Sequence, residues 1–308
     1  KILVNLQSLD WISKPGMKKI LVLFLMGSEV RQFVHSGLFA DLEGSGWQIM
    51  VMSKIVDDDL REQLPSSVSL IPLLVNKYSI LAGMYSKILD KAIIRHRTRQ
   101  GLSSWKYGKV TPRNLREAVL EFLVNIFSSG LSHFPQVLTR KNKVEQYLHK
   151  RVDRSHWKNF LLENQIDAIL VNVPRQSYLN PVLLTARELG VRTFLIYHTV
   201  KDITANPRLN HPFTGIGVWN SQMRSDLVNQ NPWVDPETVK VVGCGHFDCI
   251  GRSEWLPGDG NFRKQVGARS DSLLILYPTA GPGIVPQEER YIQLVLKAVK
   301  KAEKSVHQ

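Results

Sequence analysis

Cysteine is scarce in this chain, and its scarcity excludes a fold held together by disulfides. Only Cys244 and Cys249 occur among 308 residues, which indicates a reducing compartment. Both belong to the stretch GCGHFDC at 243–249. On an extended chain Cys244, His246 and Asp248 would face one way, but their spacing matches no usual zinc pattern. We predict no metal here and interpret the stretch as a glycine-rich turn out of the sheet, with Asp248 capping the next segment of the chain.

Long apolar runs are also lacking, since none approaches the roughly 18–20 residues that a membrane-spanning helix needs. The stretch 17–28 imitates a secretory signal, with two lysines before an apolar run. That run covers only residues 20–26, and no small-residue cleavage site follows it. We interpret it as a first buried β-strand. Met17 is then a plausible translation start, and residues 1–16 a leader or non-native extension.

Acidic residues are outnumbered, with 27 Asp and Glu against 40 Lys and Arg and a net charge of +13. Residues 77–116 hold ten Lys or Arg against one acid, and residues 136–158 hold seven against two. Such local excess favours polyanions. Apolar residues interleave with the first cluster and no nucleic-acid motif accompanies it, so we predict contact with an anionic membrane and no nucleic-acid partner. Solvated helix faces are the alternative.

Short apolar runs alternate with amphipathic stretches along most of the chain. Seven runs predict strands, at 19–25, 47–53, 68–74, 166–173, 191–198, 215–220 and 237–245. One helix is predicted over 30–46, and Ser155 and Ser221 are predicted N-caps of later helices. Continuous apolar strands separated by helices are typical of a parallel sheet covered on both faces. The predicted fold class is therefore α/β, a doubly wound parallel sheet with a helical insertion at 78–164.

The chain is predicted to contain two domains. Residues 17–250 form the N-terminal Rossmann-like domain, 251–271 a linker, and 272–308 the start of a second α/β domain. The second domain is predicted to open with a strand over 272–281, followed by a helix over 287–304. One strand and one helix cannot bury a core, so we expect the protein to continue past Gln308. The alternative is that this unit docks on the first domain.

Polar residues follow the predicted strands, where open α/β sheets bind their ligands. The candidates for binding substrate are Gly27, Ser28, Asn172, Arg175, Asn220, Ser221, Gly245, His246 and Asp248. The dinucleotide motif G-x-G-x-x-G is absent, because the next glycine after Gly27 is Gly37. The turn PTAGPG at 278–283 lacks the Walker lysine. Its backbone N–H groups at Thr279, Gly281 and Gly283 are nevertheless candidates for binding donor phosphates.

His198 ends the apolar run FLIYH and is the candidate general base. A histidine at a strand end opens into the ligand crevice, where it can titrate near neutral pH and accept a proton from an attacking hydroxyl. Asp202 stands four residues later and is the candidate group that orients the ring. The alternatives are a histidine that bonds a loop carbonyl and an Asp202 that caps a helix.

The order of these pieces resembles a known family. The segments that carry the resemblance are IDAILVNV (166–173), NPVLLTARELGVRTFLIYHT (180–199), GIGVWNSQMRSDLV (215–228) and VKVVGCGHFD (239–248). They are similar to the N-terminal domain of GT-B glycosyltransferases, above all bacterial surface-polysaccharide enzymes and CDP-glycerol glycerophosphotransferases. His198 and Asn220–Ser221 match the family pattern. Gly245–Asp248 matches its last turn only in part, because the usual proline is absent and the spacing is shorter.

The resemblance implies a transferase of bacterial cell-surface polysaccharide assembly, cytoplasmic and peripheral on the inner face of the cell membrane. His198 would deprotonate an acceptor hydroxyl on a glycan or lipid-linked acceptor. The donor would be a nucleotide-activated sugar or CDP-glycerol, with its phosphates held mainly by the second domain, and no metal or cofactor is implied. With that domain nearly missing, we expect this chain to be inactive. The alternatives are a UDP-N-acetylglucosamine 2-epimerase-like enzyme and a non-catalytic membrane-associated scaffold.

Overall fold

The computed structural model describes residues 18–25, 27–74, 80–101, 114–134, 147–148, 150–173, 179–205, 208–248, 250, 259–279, 285 and 287–306. The chain divides into two compact units. The first spans Lys1–Tyr107 and Thr111–Ile250, and the second spans Gly251–Gln308 together with Gly108–Val110.

The first unit is built on an open sheet of seven parallel strands. The strands are β1 (Lys18–Phe24), β2 (Trp47–Ser53), β3 (Ser69–Pro72), β4 (Ala168–Val171), β5 (Arg192–Ile196), β6 (Gly215–Val218) and β7 (Val239–Val241). Their order across the sheet is β3-β2-β1-β4-β5-β6-β7, and every neighbouring pair is parallel. The predicted α/β fold with a doubly wound parallel sheet is confirmed.

Helices connect these strands in the first unit. They are α1 (Val30–Val34), α2 (Leu38–Gly44), α3 (Asp58–Gln63), α4 (Ile80–Arg99), α5 (Leu115–Leu131), α6 (Ser155–Glu163), α7 (Leu179–Glu188), α8 (Lys201–Ala205), α9 (Ser221–Gln230) and α10 (Gly245–Asp248). Helices α4 and α5 pack together in the long crossover between β3 and β4. Within the described part of 78–164 every regular element is a helix, as predicted. None of the helices in the described ranges is both long and apolar enough to cross a bilayer.

Both faces of the sheet are buried, which explains why its strands are apolar without alternation. Successive side chains of a strand point to opposite faces. Leu21 and Leu23 of β1 therefore pack with α6, α7 and α9 on one face. Val22 and Phe24 pack with α1 and α2 on the other face. Full burial of one such side chain contributes about 1.5–3 kcal/mol, so the two clusters are the main stabilising feature of this unit.

The single helix predicted over 30–46 is two helices. Helix α1 is a π-helical turn, in which the backbone N–H of His35 bonds the carbonyl of Val30. Gly37 follows with φ of 88°, in the left-handed region that favours glycine, and becomes the N-cap of α2. The apolar periodicity spans both helices, so it conceals the break at Gly37.

The two predicted serine caps are wrong. Asn220 is the N-cap of α9, where its side-chain oxygen accepts a hydrogen bond from the Met223 N–H at 2.9 Å, and Ser221 is the first helical residue. At α6 the side chain of Asp153 accepts from the Ser155 N–H at 2.9 Å. Asn220 thus makes the bond that an N-cap provides, whereas the N-cap residue of α6 is Arg154, whose side chain makes no such bond.

The second unit differs from the prediction at its strand. Residues 272–279 form no strand, and the described part of this unit contains only helices α11 (Asp259–Gln265) and α12 (Glu288–Val306). A strand requires hydrogen bonds from a neighbouring strand, and none of the described residues supplies one. Leu273 is 87% exposed as a result. The helix predicted over 287–304 is confirmed as α12.

Candidate active site

The sheet has a topological switch point between β1 and β4, the place where ligands bind open α/β sheets. Gly27 and Ser28 follow β1, and Asn172 follows β4. Gly27 has φ of 78°, a conformation that residues with a side chain rarely adopt. The chain therefore turns sharply as it leaves β1, and three of the predicted site residues lie at the carboxyl edge of neighbouring strands.

Gln32 of α1 is a buried residue that connects the ends of two strands, β4 and β5. Its side chain is fully buried, and its Nε2 donates to the carbonyl oxygens of Ile196 and Tyr197, both at 3.2 Å. The Nδ2 of Asn172 donates to Oε1 of Gln32 at 3.3 Å. The network ties the end of β5 and the residue after β4 to α1. No motif indicates Gln32 in the sequence; its only signal is a polar residue beside the core residue Phe33.

Two buried polar atoms at the switch point have no hydrogen-bond partner within the described structure. They are the side-chain oxygen Oδ1 of Asn172, a residue that is completely buried, and the hydroxyl of Ser28. An unsatisfied buried polar group costs about 1–3 kcal/mol. Both predicted residues are thus able to bond a polar ligand group or a water molecule.

His198 and Asp202 come together as predicted at the end of β5. Their Nδ1 and Oδ2 atoms lie 3.3 Å apart, and both side chains are mostly buried. The two atoms are close, but their geometry is not that of a well-aligned hydrogen bond. Asp202 lies inside α8, whose first N–H, that of Lys201, bonds the hydroxyl of Thr199 instead. Asp202 therefore does not cap α8, and its carboxylate lies beside the His198 ring.

His246 is the second histidine of the site. Its ring centroid lies 5.8 Å from that of His198, and α10 packs against α1, which carries Arg31. Burial lowers the pKa of His246, and the charges of His198 and Arg31 lower it further. The His246 ring is therefore neutral at pH 7. The neutral ring can donate or accept a hydrogen bond, and Arg31 adds one positive charge near it.

Aromatic side chains border the histidines. The Nε1 of Trp219 donates to the Tyr197 carbonyl at 2.8 Å, and its ring centroid lies 6.4 Å from that of His246. The ring of Phe247 meets Trp219 edge-on at 5.9 Å and is largely exposed. This pair was not among the predicted site residues, although Trp219 stands directly before the predicted Asn220–Ser221 turn.

The remaining predicted residues are more dispersed. Asn220 serves as a helix cap, Ser221 and Asp248 are exposed, and Gly245 is buried as the first residue of α10. Thr279 is an exposed residue of the second unit. Arg175, Gly281 and Gly283 lie outside the described residues.

The stretch 243–249 is not extended, although an extended chain would be needed for Cys244, His246 and Asp248 to face one metal ion. Residues 245–248 form the helical turn α10, so alternate side chains do not face one way. In the described ranges no group of three His, Cys, Asp or Glu residues is placed to hold a metal ion. Burial also raises the pKa of the Cys244 thiol, which keeps it protonated at pH 7.

A cavity of about 410 Å³ opens beside Gly27, at the carboxyl ends of β1 and β2. Lys54, Asp57 and Asp59 are its charged lining residues, while neither His198 nor His246 contributes to it. Gly27 therefore borders a cavity with a mainly apolar lining and a few charged side chains, separate from the two histidines.

Comparison with known proteins adds one distant similarity. No protein-family model matches the chain, and no curated protein matches it. Among solved structures it is similar to a glycosyltransferase from Rickettsia africae ESF-5, with 9% identity and a TM-score of 0.39. The match covers 83% of this chain and 51% of that protein, so the chain spans about half of its length. A similarity at this level does not identify an activity or a substrate.

Proposed function

We propose that this chain is the acceptor-side part of a glycosyl- or glycerophosphotransferase of bacterial cell-surface polysaccharide assembly. It would move an activated sugar or polyol from a nucleotide donor to an acceptor hydroxyl. The observation that supports this most is the His198–Asp202 pair at the carboxyl end of β5, two strands from β1 across the switch point. A paired, mostly buried histidine at this edge has the position that a general base requires.

The proposed chemistry uses His198 as a base. Its ring accepts the proton of the acceptor hydroxyl while the oxygen forms a bond to the transferred group. The bond from that group to the nucleotide phosphate breaks, and the nucleotide leaves with the electron pair. Asp202 stabilises the imidazolium that forms, because its carboxylate lies 3.3 Å from Nδ1. The donor phosphates would be held mainly by a second domain, and the working location would be the inner face of the cell membrane.

The test is to incubate the full-length protein with a panel of nucleotide sugars and CDP-glycerol, together with an acceptor. Turnover is measured as the rate at which the nucleotide is released. His198→Ala is expected to lower kcat by about 10²–10⁴-fold while donor affinity remains, because general-base catalysis contributes that much. Asp202→Asn should lower kcat less. His156→Ala, on α6, is the matched control and should leave kcat unchanged.

Unchanged turnover in His198→Ala would remove this residue from the mechanism. If no donor is bound or consumed and His198→Ala changes only thermal stability, the scaffold alternative is favoured. Interconversion of a nucleotide sugar without any acceptor would favour the epimerase alternative.

A further inference from the structure

Helix α5 turns an apolar surface outward. Its exposed apolar side chains, here named the α5 outer face, are Leu115, Val119, Phe122, Leu123, Ile126 and Phe127. Phe122, the central member, is 62% exposed. Leu115, Val119, Phe122 and Ile126 follow the spacing that places residues on one helical stripe. In an ordinary surface helix this stripe faces the core, so the orientation of α5 needs an explanation.

Its inward side carries the buried Val124, and it also carries polar groups that are bonded to cations of α4. Lys87 and Lys91 both bond the Glu121 carboxylate, and Lys91 also reaches Oδ1 of Asn125 at 3.1 Å. Arg95 donates to the Asn125 carbonyl at 2.6 Å and to the Ser128 hydroxyl at 2.9 Å. These bonds fix the rotation of α5 about its axis. The outer face cannot turn inward without breaking them.

The sequence analysis predicted that the basic cluster at 77–116 contacts an anionic membrane. In the structure, several cations of α4 within this cluster are instead bonded inside the protein. Lys91 is 4% exposed, and the buried Arg97 donates to the Thr204 carbonyl at 2.8 Å. Arg208 from the β5–β6 connection pairs with Asp90 at 2.8 Å on the same helix. Much of the local basic charge of α4 therefore holds the helical pair together, and the exposed apolar surface lies on α5.

The charge of the sequence that flanks α5 favours one kind of partner for this surface. Residues 102–116 carry four Lys or Arg and no acid, and residues 135–151 carry five against one. A second copy of the chain, with the same net charge of +13, would be repelled. An anionic bilayer attracts basic segments and accepts apolar and aromatic side chains at its interface.

We propose that the α5 outer face docks on an anionic lipid bilayer, with α5 lying along the interface and Phe122, Ile126 and Phe127 inserted among the lipids. The proposal deepens the membrane location in the proposed function, although its geometry stands independently of the catalytic site. It assigns the contact to the apolar side of α5 and not to the basic side of α4.

The test is co-sedimentation of the full-length protein with vesicles of phosphatidylcholine, with and without phosphatidylglycerol. The wild-type protein should bind the anionic vesicles and be partly released by salt. The double variant Phe122→Gln with Ile126→Gln should bind about 30-fold more weakly, because two apolar side chains no longer leave water. The matched control Leu162→Gln changes an exposed leucine of α6 and should bind like the wild type.

One activity measurement and one binding measurement separate this proposal from the proposed function. The double variant should retain turnover on a water-soluble acceptor, and His198→Ala should retain vesicle binding. The proposal is overturned if the wild-type protein does not bind anionic vesicles, or if the double variant binds them as tightly. It is also overturned if the wild-type protein is a dimer without vesicle affinity that the double variant converts to a monomer.

Discussion

The parallel sheet and the α4–α5 pair distribute polarity in opposite ways. The sheet buries continuous apolar strands between two layers of helices, with polar groups gathered at its carboxyl edge. The helical pair buries lysine and arginine against Glu121, Asn125 and Ser128, and leaves phenylalanine exposed. The first region is stabilised by removal of apolar surface from water. The second depends on each charge keeping its partner, because a buried charge without one is strongly unfavourable.

The largest effect is expected in the sheet. Leu21→Ala removes a fully buried side chain of β1 and should lower the free energy of unfolding by about 2–5 kcal/mol, through lost burial and the cavity left behind. Leu115→Ala, at a residue that is 81% exposed on α5, should change it by less than about 0.5 kcal/mol. Urea denaturation of both variants measures the contrast. A large loss at Leu115 would mean that the α5 outer face is buried in the free protein.

An intermediate effect is expected in the helical pair. Burial raises the pKa of the Glu121 carboxyl, but hydrogen bonds from Lys87 and Lys91 and their charges more than offset this, so the pKa lies below its usual value of 4.5. Its contribution to stability is therefore present above pH 4.5 and is lost as pH falls through the lowered pKa. Glu121→Gln should lower the free energy of unfolding at pH 7 by about 1–3 kcal/mol.

The control for Glu121 is Glu237, a carboxylate that also pairs with a lysine but is exposed to solvent. Glu237→Gln removes the partner of Lys240 at a side chain that is 79% exposed, and the expected loss is below about 1 kcal/mol. Equal losses from the two variants, measured by urea denaturation, would contradict the view that the α4–α5 pair depends on partly buried charge.

The smallest effect is expected at the carboxyl edge of the sheet, where polar groups are buried beside apolar strands. The pKa of His246 is lowered from its usual 6.5, so the unfolded chain binds more protons than the folded one between the lowered pKa and pH 6.5. Stability should therefore fall as pH is reduced below about 6.5. Melting temperatures from pH 7.5 to 5.5 should drop less in His246→Gln than in the wild type. An identical drop would show that this ring does not contribute.

The sheet was predictable from sequence because burial on both faces leaves a local signal. The run at 47–53 coincides with β2, and the run at 19–25 is displaced from β1 by one residue at each end. Helices α4 and α5 were predictable from sequence as helices. Which of their faces would be buried was not predictable. Lys91 meets Glu121 across 30 residues, and no periodicity within α4 shows that its cations have partners on a different helix.

The candidate site was predictable in part for the same reason. Asp202 follows His198 by only four residues, across the short connection from β5 to α8, so their proximity is a local feature of the chain. Gln32 reaches carbonyls more than 160 residues away, and the contact of His246 with His198 depends on how α10 packs. These contacts exist only after the sheet has assembled, so sequence patterns give no direct indication of them.

The π-helical turn of α1 limits where this chain tolerates insertions and deletions. A residue added or removed in the eight-residue step from Phe24 to Gln32 would shift or rotate that side chain relative to the sheet. Gln32 would then lose the Ile196 and Tyr197 carbonyls, and Asn172 would lose its acceptor. Related chains are therefore expected to vary in length around α4 and α5 while keeping the number of residues from Phe24 to Gln32 constant.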